Sequence, residues 1–259
     1  MLVAVDIGNS SITMGVFTGT RLLGRVDIPV HPRSDASQFR RLIEAFLSEK
    51  KVEKPVAGVI ISSVVPDLTG ILNRSLRGFS GAEPVLVAHS LVTGLTLEVE
   101  SPEEVGTDRI SNAVAAWEDF CCPVAVVDFG TATTVSVIRD SRFLGGAILP
   151  GLRLMGEALH QGTARLPSVD AASEGRGSFF RVAALGKNTK ASMISGMIYG
   201  TSGAVERIIR AIEREQGCVF EVVVTGGNAL RVMPYIERRC SVDPDLTLKG
   251  LRLIYERNA

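Results

Sequence analysis

The sequence contains the stretch Val3-Ala4-Val5-Asp6-Ile7-Gly8-Asn9-Ser10-Ser11-Ile12 and, later, the similar stretch Ala125-Val126-Val127-Asp128-Phe129-Gly130-Thr131-Ala132-Thr133-Thr134. Each copy is a short apolar run that ends in Asp-x-Gly and is followed by hydroxyl or amide residues. This pattern predicts a buried strand, a turn at Asp-x-Gly and a second strand leading away from the turn. Glycine in the turn permits a positive φ and lets a ligand approach the backbone closely. The repeat therefore predicts one β-hairpin at the start of each half of the chain.

The segments that follow the two hairpins are also similar. After the first hairpin, the patterns predict a strand, a helix, a strand, a helix and a strand near residues 22–28, 36–49, 56–62, 67–77 and 84–87. After the second, they predict a strand near 143–148, helices over 152–160 and 190–215, a strand over 219–224 and a helix over 229–238. We therefore expect two related α/β domains that face each other across a cleft, spanning residues 1–117 and 118–245. A helix within 246–259 would pack back on the first domain.

Composition narrows the function classes. The chain has 259 residues and a formal net charge of zero, so no overall charge attracts it to nucleic acid or to an anionic membrane. The four cysteines have no CxxC spacing, and the N-terminal residues do not form a signal peptide. No apolar run approaches the roughly 18 residues that cross a bilayer. We expect a cytoplasmic protein with neither nucleic-acid nor membrane partners.

The two repeated carboxylates are the first candidates for chemistry. Asp6 and Asp128 each follow a buried strand, where a carboxylate is costly unless polar or cationic groups compensate it. The turn residues after each of them supply backbone N–H groups and hydroxyls suited to phosphates. Mg²⁺ beside phosphates takes oxygen ligands and uses one or two carboxylates. The combination predicts phosphoryl transfer from a nucleotide that is bound with magnesium.

A third stretch, Pro102-Glu103-Glu104-Val105-Gly106-Thr107-Asp108-Arg109, opens a predicted helix. Two interpretations are open from the spacing alone. In the first, Thr107 or Asp108 only caps the helix. In the second, Asp108 is a base for an acceptor hydroxyl and Arg109 holds an anionic group of the substrate.

At these residues the chain resembles the type III pantothenate kinases, which belong to the superfamily of acetate and sugar kinases, Hsp70 and actin. The resemblance covers nearly the whole chain and implies two duplicated actin-like (ribonuclease H-like) domains facing each other across a nucleotide cleft. It rests on several motifs in the family's order: Asp6-Ile7-Gly8-Asn9-Ser10, Gly106-Thr107-Asp108-Arg109, Asp128-Phe129-Gly130-Thr131-Ala132-Thr133-Thr134, Gly145-Gly146-Ala147-Ile148-Leu149-Pro150-Gly151, Leu166-Pro167, Gly186-Lys187-Asn188-Thr189 and Ser195-Gly196.

The resemblance implies ATP-dependent phosphorylation of pantothenate to 4'-phosphopantothenate, the first step of coenzyme A biosynthesis. It also implies a homodimer whose substrate site lies close to the subunit interface. It implies that Asp108 is the general base, that Asp6 binds Mg²⁺ and that Asp128 binds a monovalent cation, K⁺ or NH4⁺. The implied ATP-binding residues are Asp6, Ile7, Gly8, Asn9, Ser10, Ser11, Ile12, Thr13, Gly130 and Thr131. The implied pantothenate-binding residues are Gly106, Thr107, Asp108, Arg109 and Thr189.

Two positions depart from the family pattern. Ser136 stands where the family usually has an aspartate, and Val99 stands where it usually has a tyrosine. Two alternatives to a pantothenate kinase are therefore open. One is a weakened or non-catalytic nucleotide-binding member that acts as a regulatory accessory protein. The other is a kinase for a different small hydroxy acid.

Overall fold

The structure is a computed structural model that describes residues 1–30, 36–52, 56–80, 83–173 and 181–259. The chain divides into two units, which we call unit 1 and unit 2. Unit 1 consists of Met1–Asp119 and Asp245–Ala259, and unit 2 consists of Phe120–Pro244. Within the described ranges, no helix is both long enough and apolar enough to cross a membrane.

Strands and helices alternate after each hairpin. The strands are β1 (Leu2–Ile7), β2 (Ser11–Thr18), β3 (Arg21–Pro29), β4 (Gly58–Ser63), β5 (Val85–Leu86), β6 (Thr96–Leu97), β7 (Val124–Phe129), β8 (Ala132–Arg139), β9 (Arg142–Pro150), β10 (Glu221–Thr225) and β11 (Ser241–Val242). The helices are α1 (Ala36–Glu49), α2 (Pro66–Arg77), α3 (Thr107–Phe120), α4 (Leu152–Gln161), α5 (Thr189–Gln216), α6 (Ala229–Val232) and α7 (Leu246–Asn258).

The sheets of the two units repeat one topology. In unit 1 the strand order is β3-β2-β1-β4-β5, and in unit 2 the corresponding strands run β9-β8-β7-β10-β11. In each unit the first three strands are antiparallel, whereas the fourth pairs in parallel with the first. The predicted duplicated α/β fold, with a hairpin at each Asp-x-Gly turn, is confirmed.

The match between the units extends to a local irregularity. The register between the second and third strands shifts once, between Val16 and Phe17 in β2 and between Val137 and Ile138 in β8. Both shifts lie one residue before the end of the strand. A bulge bends its strand and increases the local twist, so the two hairpins share their curvature as well as their pairing.

The core of unit 1 lies on both faces of its sheet because β1 is buried on both sides. Successive side chains of a strand point to opposite faces. Val3, Val5 and Ile7 join a cluster with residues of α1 and α2, whereas Leu2 and Ala4 join a cluster with residues of α3 and α7. The alternation puts Asp6 on the face of Leu2 and Ala4, which is the face that α3 covers.

Unit 2 buries one large cluster between its sheet and its helices. Ala125, Val127 and Phe129 of β7 belong to it, together with residues of α4 and α5. The 28-residue helix α5 has clear ends: the side chain of Asn188 accepts a hydrogen bond from the backbone N of Ala191, and Gly217 ends the helix in the left-handed conformation.

One predicted helix is wrong in length. The helix expected over 229–238 ends at Val232 as α6, and a 3₁₀ turn follows over Met233–Tyr235. Pro234 explains the early end, because proline has no N–H for the helical ladder and its ring clashes with the preceding turn. The short strands β6 and β11 were not predicted, and two residues are too few to give a periodic signal.

Candidate active site

Asp6 lies at the end of β1 beside a buried hydroxyl group of the neighbouring strand. It pairs in parallel register with Ser62 of β4, whose side chain is on the same face of the sheet. Ser62 is fully buried, and its Oγ donates a hydrogen bond of 2.8 Å to Oδ1 of Asp6. The carboxylate is therefore oriented by its neighbour in the sheet and not only by the turn that follows it.

Thr107, the first residue of α3, joins this pair. Its Oγ1 lies 2.9 Å from Oγ of Ser62 and accepts a hydrogen bond of 3.0 Å from the backbone N of Ser63. Hydroxyl groups thus link the end of β1, the end of β4 and the start of α3. The hydroxyl of Thr107 is used between elements, which differs from the local helix cap considered in the sequence.

Asp108 follows at the first turn of α3. Its Oδ1 accepts a hydrogen bond of 2.8 Å from the backbone N of Arg109. Burial raises the pKa of the Asp108 carboxyl above its usual range, although the hydrogen bond and the charge of Arg109 act in the opposite direction. A carboxylate with a raised pKa is a stronger base, so the environment suits the acceptance of a proton from a hydroxyl group.

Gly106 leaves room for that carboxylate. A Cβ atom at Gly106 would lie 2.4 Å from Oδ1 of Asp108, which is closer than atoms of this kind approach. Any larger residue at position 106 would displace the Asp108 side chain. The glycine of the Gly-Thr-Asp-Arg motif therefore has a steric role next to the candidate base.

Arg109 supplies a cation beside Asp108. Burial lowers the pKa of the Arg109 guanidinium, while the Asp108 carboxylate counteracts that shift. Because the ordinary value lies so far above neutrality, the side chain stays charged. A half-buried guanidinium is well suited to binding a carboxylate or phosphate through paired hydrogen bonds.

In unit 2 the second carboxylate, Asp128, has different neighbours. It pairs in register with Thr225 at the end of β10, as Asp6 pairs with Ser62. Gly226 comes next with a φ of +93°, and a Cβ there would lie 2.3 Å from Oδ1 of Asp128. The backbone N of Asn228 donates a hydrogen bond of 3.0 Å to the carbonyl oxygen of Phe129. The loop after β10 is thus packed closely against the turn that carries Asp128.

The remaining predicted residues have the following positions. Gly8, Asn9 and Ser10 form the β1–β2 turn, which is closed by a 2.9 Å hydrogen bond from the backbone N of Gly8 to the carbonyl of Ser11. Thr13 lies opposite Asp6 on β2 and donates a 2.7 Å hydrogen bond to Oδ1 of Asp27. Ile7 and Ile12 are buried core residues, so any contact they make with a ligand is through the backbone.

In unit 2, Gly130 and Thr131 form the turn between β7 and β8. The carbonyl of Gly130 accepts a 3.4 Å hydrogen bond from Nδ2 of Asn228. Thr189 begins α5, where its exposed side chain lines a groove of about 540 Å³ together with apolar residues of α4 and α5. The structure thus links Asp6 with Gly106–Arg109 inside unit 1, and Asp128 with Gly130 inside unit 2.

The oxygen donors around Asp6 fit a magnesium ion. They are one carboxylate and neighbouring hydroxyls, and Mg²⁺ bound with phosphates needs one or two carboxylates from the protein. Among the described residues, no three His, Cys, Asp or Glu side chains form a group able to hold a metal by themselves. Beside Asp128, the backbone of Gly226 packs against Oδ1, and a Cβ atom at Gly130 would lie 3.3 Å from the same oxygen.

Sequence reasoning missed Ser62. Ser62 ends the apolar run for which a strand was predicted near residues 56–62, and the structure pairs that strand in parallel with β1. Two parallel neighbours bring their carboxyl ends to the same edge of a sheet, so a hydroxyl residue there was a candidate partner for Asp6. The register that sets Ser62 beside Asp6 comes only from the structure.

The two positions that depart from the family pattern lie in separate units. Ser136 is buried in the middle of β8, between Val126 of β7 and Gly146 of β9. Val99 is half-buried in a bend of unit 1 after β6. Neither substitution removes Asp6, Asp108 or Asp128.

The fold, with two duplicated actin-like domains that each begin with a carboxylate-ended hairpin, is also found in solved structures of low sequence identity. A solved structure of an N-acetylglucosamine kinase from Porphyromonas gingivalis superposes with a TM-score of 0.52 at 13% identity, covering 100% of this chain and 99% of that one. A Baf family transcriptional activator from Campylobacter jejuni gives a TM-score of 0.61 at 19% identity, with 98% and 97% covered. At these identities the likeness concerns the fold alone.

Sequence comparison defines the family. The family model of the type III pantothenate kinases matches residues 2–211. A type III pantothenate kinase from Moorella thermoacetica is 38% identical over 260 residues, which covers 100% of both chains. The chain belongs to the type III pantothenate kinase family.

Proposed function

We propose that the protein transfers the γ-phosphoryl group of ATP to the hydroxyl group of pantothenate and so forms 4'-phosphopantothenate for coenzyme A biosynthesis. Family membership along most of the chain supports this activity and this substrate. The observation that carries the proposal is local to unit 1. Asp108, a carboxylate with a raised pKa, directly follows Thr107, which is linked through Ser62 to Asp6.

In this proposal Asp108 accepts the proton of the pantothenate hydroxyl as the oxygen attacks the γ-phosphorus. The raised pKa of Asp108 supports that role, because proton transfer is most efficient when the base has a pKa near the working pH. Arg109 binds the pantothenate carboxylate, and the backbone at Gly106 and Thr107 lies against the substrate. The half-buried position of both charged residues strengthens these interactions relative to water.

Residues 6–13 of unit 1 are proposed to bind the ATP phosphates, and Gly130 and Thr131 of unit 2 are also proposed ATP-binding residues. The β1–β2 turn offers backbone N–H groups and the hydroxyls of Ser10 and Ser11, which suit phosphate oxygens. Asp6 would hold the magnesium ion, which when bound neutralises charge on the phosphates. Asp128 would hold the monovalent cation, K⁺ or NH4⁺, and its position near the carboxyl end of the buried strand β7 supports that assignment.

Dimerisation and a cytoplasmic location complete the proposal. Thr189 would contact pantothenate, and it lies exposed at the mouth of a groove lined by apolar side chains, which supports a small-molecule site there. All four cysteines are free, as in a reducing compartment. Light scattering of the purified protein after size-exclusion chromatography measures the oligomeric state directly, and a monomeric mass at assay concentrations would contradict the dimer.

The deciding experiment is an assay of ADP release with ATP, Mg²⁺ and K⁺, in the presence and absence of pantothenate. We expect ADP release to depend on pantothenate and the product to be 4'-phosphopantothenate by mass spectrometry. Equal ADP release with and without pantothenate would contradict the proposal. A parallel set of small hydroxy acids tests whether Val99 has changed the acceptor, and absence of turnover with every acceptor would favour the non-catalytic accessory role.

A further inference from the structure

The hydroxyl groups of Ser62 and Thr107 form a chain that joins the Asp6 carboxylate to the start of α3. Ser62 Oγ lies 2.8 Å from Asp6 Oδ1 and 2.9 Å from Thr107 Oγ1. The backbone N of Ser63 lies 3.0 Å from Thr107 Oγ1. All of these groups belong to unit 1, and Ser62 is completely shielded from solvent.

The direction of the hydrogen bonds follows from the number of protons available. An ionised carboxylate only accepts, and each hydroxyl has one proton to donate. Ser62 gives its proton to Asp6, so Thr107 must donate in the contact with Ser62, while the N–H of Ser63 donates to Thr107. The other acceptor within reach of Thr107, the carbonyl of Ser63, is farther away at 3.2 Å. Hydrogen bonds aligned head to tail in this way polarise and strengthen one another.

Thr107 has its hydroxyl occupied by these contacts. One hydroxyl has room for a single donated bond, and here it faces Ser62 and the backbone of Ser63. A substrate would have to displace an internal partner to bind this oxygen. The side chain of Thr107 therefore fits a role in holding α3, and the residue after it is Asp108, the proposed base.

We propose that Ser62 and Thr107 are positioning residues that tie the orientation of Asp6 to the position of Asp108. This inference rests on the proposed function, because Asp6 and Asp108 have their roles only in that reaction. A shift of the Asp6 carboxylate moves Ser62 and, through Thr107, the first turn of α3. Asp6, which would lie beside the phosphates, and Asp108, which would take the proton of the acceptor hydroxyl, are then coupled within unit 1.

The test uses variants of the full-length protein and two readouts. The variants are Ser62→Ala, Thr107→Val, the double variant, and Thr107→Ser, which keeps the hydroxyl. The control is Ser111→Ala, at a fully buried serine of α3 whose hydroxyl donates a 2.8 Å hydrogen bond to the backbone carbonyl of Thr107. The first readout is the affinity for the magnesium complex of the ATP analogue AMP-PNP by calorimetry, without pantothenate. The second is kcat for pantothenate phosphorylation.

We expect Ser62→Ala to weaken binding of the magnesium nucleotide about tenfold, the scale of one hydrogen bond to a charged group. Thr107→Val should weaken it by about threefold, and the double variant should be no worse than Ser62→Ala, because the two residues act through one chain. Thr107→Ser and Ser111→Ala should bind like the wild type. The kcat values should fall in Ser62→Ala and Thr107→Val and recover in Thr107→Ser.

Several outcomes would overturn the inference. Wild-type nucleotide affinity in Ser62→Ala would do so, as would losses that add in the double variant. If Ser62→Ala does not fold, the variants Thr107→Val and Thr107→Ser decide the question. Equal nucleotide affinity in these two variants would reject the link from Thr107 through Ser62 to Asp6. If the affinity pattern appears but the wild type shows no pantothenate-dependent turnover, the proposed reaction fails while the link from Thr107 through Ser62 to Asp6 stands.

Discussion

The β1–β2 hairpin of unit 1 and the β7–β8 hairpin of unit 2 differ by one residue in their turns. The first turn has residues 8–10 and the second has only 130–131, although the six-residue strands before them have the same pattern of burial. Asp6 lies opposite Thr13 and Asp128 opposite Thr134, so the difference is absorbed in the turn. The two hairpins share the same pairing of strands and differ only in the turn that would face a ligand.

The larger difference is in what surrounds each carboxylate. Asp6 contacts the hydroxyl of Ser62, and α3 follows that contact with Thr107. Asp128 instead lies against the backbone of Gly226, close enough that even a methyl group would not fit. A duplicated sheet therefore fixes where the two carboxylates are, whereas the loops and helices added to it decide what each carboxylate can bind.

The largest effect is expected for a substitution of Asp108, which belongs to α3, the helix that covers the sheet face carrying Asp6. Asp108→Asn should lower kcat by roughly 10²–10⁴-fold, because the general base is lost. The melting temperature should not fall, since asparagine keeps the shape and removes a buried charge. The control is Asp67→Asn, an exposed aspartate in the first turn of α2. Near wild-type turnover in a folded Asp108→Asn protein would show that Asp108 only caps α3.

Asp6→Asn should lower turnover by about 10²-fold at limiting Mg²⁺, because a metal ligand contributes several kcal/mol to charge stabilisation. The loss should be partly recovered at high Mg²⁺, where weaker binding is overcome by concentration. The measurement is a titration of activity against Mg²⁺ at fixed ATP. An unchanged Mg²⁺ requirement would remove the assignment of Asp6 and, with it, the contrast with Asp128.

Asp128→Asn should have a smaller effect, about tenfold, equivalent to roughly 1.4 kcal/mol from one weakened ion contact. The wild type should be more active in K⁺ or NH4⁺ than in Na⁺ or Tris buffer, and the variant should lose that preference. Its Mg²⁺ requirement should stay unchanged, unlike that of Asp6→Asn. If both variants respond to the same ion, the two hairpins are not specialised as we propose.

The tight packing of the loop after β10 against Asp128, compared with the looser β1–β2 turn, is tested by stability. Gly226→Ala should lower the free energy of unfolding by about 1–3 kcal/mol, because the residue has a positive φ and the new methyl group would collide with Asp128 and Phe129. Gly8→Ala should cost less, since its Cβ would lie 3.2 Å from a single carbonyl oxygen. Denaturant unfolding of both variants measures the difference. Equal losses would mean that the loop beside Asp128 is packed no more tightly than the β1–β2 turn.

The smallest effect concerns pH. Because the pKa of Asp108 is raised in the folded state, activity should fall on acidification at a higher pH than an ordinary aspartate would give. The pH–activity profile of Asp108→Asn should lack this acidic decline. The folded state holds the proton more tightly than the unfolded state, so the buried charge destabilises the fold above the folded pKa. Relative to Asp108→Asn, the wild type should gain stability as pH falls through that pKa. If the melting temperatures of the wild type and Asp108→Asn change with pH by the same amount, the raised pKa of Asp108 is contradicted.

Much of this fold was predictable because its signals are local. The repeated Asp-x-Gly runs predicted both hairpins, and α1 was predicted over the residues that it occupies. The early end of α6 was also within reach, since Pro234 marks it. The links between Ser62, Thr107 and Asp6 were not, because they depend on strand register and on the placement of α3. The close approach of Gly226 to Asp128 likewise requires the packed loop, which no pattern of residue types encodes.

Helix α7 has a consequence for how the chain is made. It belongs to unit 1, and Leu248, Leu251 and Ile254 complete the cluster behind Asp6, yet all of unit 2 precedes it in the sequence. A ribosome therefore releases the whole of unit 2 before unit 1 can close its core, so unit 2 is the part able to fold first during translation. Until α7 emerges, the sheet face under Asp6 and α3 is an exposed apolar surface on the nascent polypeptide. A ribosome that stalls within unit 2 therefore leaves a product in which the core of unit 1 is incomplete, and this product is a substrate for chaperones.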